Sequence, residues 1–216
     1  MYALMTLISA GVEAGAGAMA RTIGRARRRR ALGAAEPLTG NTPGSPREVT
    51  GQAVAGPAGL VTAPLTGRPC VWYSVTVVER YRAWRPGPFG PTRVVRELTA
   101  AERTSGPLYV TGDTAAVRVD PRGAELELGE PSFTEFEDSP YGPLAARLAT
   151  LLGAPPRPRH RDRTIGFLVE ERVVAAGEPL RIVGAARTEL GDLVLGKSTL
   201  LPLIISRHVP VSSPGD

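Results

Sequence analysis

Cysteine is almost missing from these 216 residues: Cys70 stands alone. One thiol excludes an intramolecular disulfide framework and any zinc site built on cysteines. Histidine is nearly as scarce, and neither His160 nor His208 sits in a pattern that ties it to Cys70 as a thiol–imidazole pair. Cys70 is therefore read as a small buried hydrophobe. Aromatic residues make up only 5%, and Lys197 is the one lysine among 26 basic side chains. This inventory predicts no catalytic residue, no metal and no cofactor.

Glycine and proline, by contrast, are plentiful, at 25 and 21 residues. They disfavour long helices and suit short strands joined by turns. The predicted fold is mainly β, with antiparallel strands in a compact sandwich or barrel-like domain. Strands are expected at 49–54, 60–63, 70–81, 93–99, 108–110, 165–174 and 180–184. In 70–81, Val71, Tyr73, Val75 and Val77 share one face, and Trp72, Ser74, Thr76 and Val78 the other. The turn Asp120-Pro121-Arg122-Gly123 suggests a hairpin over 115–128, and 192–195 with 199–206 suggest a terminal one. One helix stands out near 143–152. Leu144, Leu148, Leu151 and Leu152 recur at spacings of three and four behind Gly142-Pro143, and Gly153 ends the run.

The formal charge is +5, and its excess lies in Arg21, Arg25, Arg27, Arg28, Arg29 and Arg30. Residues 2–20 ahead of them carry one charge, Glu13. As a helix this segment would be about 28 Å long, close to the thickness of a bilayer core. Apolar first and basic second is the order of an anchor with its arginine side in the cytoplasm. We therefore expect a membrane anchor and basic run at 1–30, a linker at 31–47, a β domain at 48–210 and a tail at 211–216. The arginines would contact anionic lipid. An arginine-rich tether to nucleic acid is the less favoured alternative.

Other features were weighed for chemistry. Residues 191–198 spell the phosphate-loop pattern G-x-x-x-x-G-K-S, but Leu193-Val194-Leu195 is strand-like and Pro202 interrupts the helix that should follow. A hairpin is the better reading. Glu79 and the pair Glu170 and Glu171 are expected on exposed strand faces, and the acidic–aromatic run 132–140, with Glu135, Glu137 and Asp138 near Phe133 and Phe136, in a solvated loop. Trp84 and Phe89, in a Gly/Pro loop among Arg82, Arg85 and Arg93, form a candidate interface loop.

Several stretches together resemble the GIDE domain, also called the BAM or beside-a-membrane domain. They are Gly51-Gln52-Ala53, the run Ala63-Pro64-Leu65-Thr66-Gly67-Arg68-Pro69-Cys70-Val71-Trp72-Tyr73, and Val78-Glu79-Arg80-Tyr81. Later matches are 108–110 with 116–117, Glu170 to Val174 with Gly177-Glu178-Pro179, and Leu203 to Ser206. The resemblance makes Pro64, Leu65, Gly67, Pro69, Cys70, Tyr73, Glu79, Gly177 and Pro179 structural motif residues. It implies a membrane-side module of E3 ubiquitin ligases, in which a RING finger performs the transfer. A RING needs about eight Cys and His ligands for its two zinc ions. This chain has three such residues, and its end after Arg207 holds no second membrane helix. The expectation is thus a RING-less, prokaryotic-type scaffold or recognition module at the cell membrane. It would face the cytoplasm, with membrane lipids and an unidentified protein as partners and nucleic acid disfavoured. Ubiquitin transfer with a partner's zinc domain is the alternative, and a nucleic-acid-binding β-barrel a second.

Overall fold

Turn chemistry cuts much of the chain into short strands, and longer ones rich in valine hold it together. The computed structural model describes residues 36–37, 46–111, 116–138, 142–160, 163–189 and 192–208. In order, the elements are β1 (Glu36–Pro37), β2 (Pro46–Val54), β3 (Val61–Thr62), β4 (Pro69–Cys70), β5 (Trp72–Arg85), β6 (Thr92–Thr104), β7 (Leu108–Thr111), β8 (Ala116–Val119), β9 (Glu125–Glu127), β10 (Phe133–Glu137), α1 (Pro143–Leu152), β11 (Thr164–Val174), β12 (Pro179–Glu189), β13 (Asp192–Gly196) and β14 (Ile204–Arg207). The mainly β expectation holds, and α1 falls where the leucine spacing put it. The expected N-terminal helical segment lies outside the described residues.

Five strands close on themselves. β2 pairs with β7, β7 with β8, β8 with β13, β13 with β12, and β12 returns to β2. Closure removes the free edges of this sheet. The barrel interior is apolar, filled by Val49, Leu108, Val110, Val119, Ile182, Leu195 and their neighbours. At Gly51 the barrel wall is too close for a side chain, since a Cβ there would lie 1.6 Å from the Thr111 carbonyl oxygen.

A second sheet runs β10-β11-β5-β6 and is antiparallel throughout. Helix α1 lies on it, its Leu144 and Leu148 packed with Val75, Val77, Phe167 and Val169. Gly142 precedes the Pro at the first helical position, and Gly153 ends the helix in the left-handed conformation, φ 79°.

Four expectations fail here. The two arms of 115–128 do not pair with each other. The turn forms, but β8 joins β13 in parallel and β9 joins β14 in parallel. Val194 and Leu195 offer Val119 an apolar neighbour that Glu125 and Glu127 could not. The terminal hairpin is absent too: β13 and β14 lie end to end along one edge of the eleven-residue β12. Residues 133–137 form a strand, not a loop, because Phe133 packs beside the helix and the segment pairs with β11. A wholly antiparallel fold is corrected by the same parallel ladders.

Candidate functional site

Glu171 is fully buried, against the exposed-face expectation. It continues the inward face of β11 set by Phe167 and Val169. Its carboxylate accepts the backbone N–H of Leu65 at 2.7 Å and of Thr66 at 2.9 Å, and the Thr66 hydroxyl at 2.6 Å. Arg147 of α1 donates to the Leu65 carbonyl from the other side at 2.8 Å. Gly67, at φ 69°, then folds the loop back so that its N–H meets the Ala63 carbonyl. The 63–70 stretch is thus a loop held by a buried carboxyl group. Glu170, one residue earlier, is half-buried and bonded to Arg172.

Glu79 is the second such clamp, also fully buried, in line with Val75 and Val77 on β5. It accepts the N–H groups of Arg159 at 3.0 Å and His160 at 3.1 Å, and the Thr164 hydroxyl. Burial pushes its pKa up, but the bonds from Thr164, His160 and Arg159 together outweigh it and hold the carboxyl below its usual value. The His160 ring stacks on Tyr81, with centroids 3.5 Å apart. Strand parity could have revealed both carboxylates, since each falls on the face the valines mark as buried.

Cys70 is buried as expected, and burial pushes its thiol pKa up. That is the opposite of what a nucleophilic thiolate needs. Gly177 and Pro179 are structural: the Gly177 N–H meets the Ala53 carbonyl, the Ala53 N–H meets the Glu178 carbonyl, and Pro179 pairs opposite Gln52. Pro69 begins β4, and Tyr73 packs beside Val173. On the barrel, Asp120 accepts from both Arg122 and Arg187 and is held far below the usual carboxylate range, chiefly by Arg122. No spacing in the sequence announced that cluster. Residues 192–196 of the phosphate-loop lookalike are a strand, followed by a turn at Ser198 and no helix.

The exposed feature is the end of the β5–β6 hairpin. β11 accompanies β5 only as far as Tyr81, and beyond it the two strands continue alone through Arg82↔Val95, Trp84↔Arg93 and Arg85↔Thr92. Trp84 is 53% exposed and Phe89 fully so. The structure therefore places the two interface-loop residues together at one projecting tip. Arg21, Arg25, Arg27, Arg28, Arg29 and Arg30 lie outside the described residues, as does the proposed anchor at 2–20. Among the described residues no helix is long and apolar enough to cross a membrane.

A family model, GIDE, described as E3 ubiquitin ligase, matches residues 76–210, more than half of the chain. The chain belongs to the GIDE family. No curated protein and no solved structure matches it. The GIDE match opens at Thr76, inside β5, so the 63–73 run lies ahead of it. Structurally that run belongs to the domain all the same, through the bonds from Leu65 and Thr66 to Glu171. GIDE domains are associated with membrane-anchored proteins.

Proposed function

We propose that this GIDE chain is a recognition or scaffold module working at a membrane surface, with no transfer chemistry of its own. The observation that carries this reading is the fate of its reactive groups. The thiol is buried and raised in pKa, and the two buried carboxylates are committed to holding loops. A RING's ligand set would exceed the three Cys and His residues in these 216. The apolar and arginine-rich residues 1–30 would hold the domain to the cytoplasmic face of the cell membrane. Two measurements test this. Ubiquitin transfer that requires zinc and the purified chain alone would overturn the non-catalytic reading. Deleting residues 1–30 should move the polypeptide from the membrane to the soluble fraction, and an unchanged distribution refutes the anchor.

A second reading has one observation behind it. A closed five-stranded barrel is an architecture that oligonucleotide-binding domains use. Copurifying nucleic acid that is lost steeply with salt would favour it.

A further inference from the structure

We infer that the β5–β6 arm is a second membrane contact, built into the folded domain, that inserts Phe89 and Trp84 among the headgroups of an anionic bilayer. The inference rests on the reading that the chain works at a membrane, but its evidence is separate from the N-terminal segment.

The arm is segregated along its length. Past Tyr81, four strand residues on each side carry it about 13 Å beyond the β11 ladder. At its end the turn 87–90 is closed by the Gly90 N–H on the Gly87 carbonyl, between Pro86, Pro88 and Pro91. Three prolines stiffen this turn, so Phe89 is presented at little entropic cost. A fully exposed phenylalanine on a stiffened turn has no role in packing this domain.

Behind the apolar tip comes a collar of cations. Residues 80–96 contain five arginines and no acidic residue. Arg82, Arg85, Arg93 and Arg96 are exposed, while Arg80 is bonded to Glu97 at the root. Cross-strand register puts Arg82, Trp84, Arg93 and Val95 on one face, and Arg85, Val94 and Arg96 on the other. Charge thus surrounds the arm on both sides, at a depth where lipid phosphates would lie if Phe89 reached the acyl boundary. Insertion of about 5–10 Å is the usual depth of an interfacial apolar face. Membrane is favoured over nucleic acid by one contact. The Arg93 guanidinium lies over the Trp84 ring, 5.4 Å from its centre, and so covers a face on which a base would stack.

The chain carries its own reporter. It has two tryptophans, of which Trp72 is completely buried and Trp84 is not. Full-length protein is titrated with vesicles of phosphatidylglycerol and phosphatidylcholine, and with phosphatidylcholine alone, with the W84F variant as the blank. Anionic vesicles should shift Trp84 emission to the blue, and brominated acyl chains should quench it. Phe89→Ser should weaken that response about tenfold to a hundredfold, and each of Arg82→Ser and Arg85→Ser about fivefold. All three substitutions lie on exposed positions, so the melting temperature should hold. Protein that sediments with vesicles while Trp84 emission stays unchanged overturns the arm and leaves the membrane reading standing. Protein that fails to sediment with any vesicle overturns both. Trp84 quenched by a single-stranded oligonucleotide and indifferent to vesicles reassigns the arm to nucleic acid and overturns the proposal.

Discussion

Replacing Glu171 with alanine removes the acceptor of three hydrogen bonds. The Thr66 hydroxyl can turn toward water, but the N–H groups of Leu65 and Thr66 point inward at a site with no exposed carboxylate surface. A buried donor left without a partner costs about 1–3 kcal/mol. Two of them give about 2–6 kcal/mol, and relief of the carboxylate's own desolvation offsets part of this, leaving about 3 kcal/mol. For a domain of this size each kcal/mol lowers the melting temperature by about 2–4 °C, so E171A should melt about 6–12 °C lower. E171Q keeps one carbonyl oxygen and should fall between the two.

Far-UV circular dichroism melts and urea titrations measure the loss, and amide hydrogen exchange locates it. The Leu65 and Thr66 amides should be protected in the native protein and exchange rapidly in E171A, while the barrel amides of β12 keep their protection. Thr66→Val, which deletes only the hydroxyl, should couple to E171A by about 1–2 kcal/mol in a double-mutant cycle. Glu170→Ala is the control, since its half-buried pair with Arg172 should contribute under about 1 kcal/mol. An E171A melt indistinguishable from that of E170A refutes the clamp. So does rapid exchange of the Leu65 and Thr66 amides in the native protein.

Acid should release the other loop. The folded Glu79 carboxyl lies below its usual 4.5, so its contribution is present above that pH and fades as pH falls through the folded value. Native-minus-E79Q stability measured by urea titration should shrink steadily from about pH 5 downward, and a gap independent of pH would contradict this. A polypeptide beginning at Thr76, where the family match begins, should fail to melt cooperatively. It lacks β2 to β4 and the start of β5, and so the buried Val49, Val71, Trp72 and Val75, whose burial is worth roughly 1.5–3 kcal/mol each against a total stability of about 5–15 kcal/mol. A sharp thermal transition for that fragment would show that the barrel does not need its fifth strand.

The legible parts of this protein are those decided by local pattern. The helix follows from leucine spacing and its glycine stop, β5 and β11 from apolar runs rich in β-branched residues, and β6 from its alternation of charged and apolar ones. The tip carrying Trp84 and Phe89 follows from its prolines. Which strand joins which was not legible. β8 abandons its sequence neighbour β9 for β13, pairing Val119 with Leu195, because register is chosen by what the barrel can bury. The acidic letters of 133–137 looked like a loop, and only the tertiary packing of Phe133 reveals a strand. Charge alone puts Glu79 and Glu171 on exposed faces, whereas strand parity puts them with the buried valines. A carboxylate can be buried when backbone donors converge on it, and which loop supplies those donors is a long-range fact.

The shared strands explain why the clamps matter to the surface. β5 begins with Trp72 in the barrel core, passes Val75 and Val77 under α1, reaches Glu79, and then runs free beyond Tyr81. β11 does the reverse, from Phe167 to Val174. One continuous pair of strands therefore belongs to both hydrophobic cores, so barrel and sheet cannot turn independently without breaking the ladder. A bulge in β6 opposite Val77 and Val78, with Ala100 the extra residue, adds local twist just below Glu79 at the root of the arm. At the root, the Glu79 bonds to residues 159, 160 and 164 and the His160 ring stacked on Tyr81 brace the last three-stranded rung. The two buried carboxyl groups lie on one face of the β5–β11 pair, one near each end, and fix two loops against it, while β5 runs on with β6 to the exposed aromatics. Stability in the interior and orientation at the tip are in this way the work of the same residues.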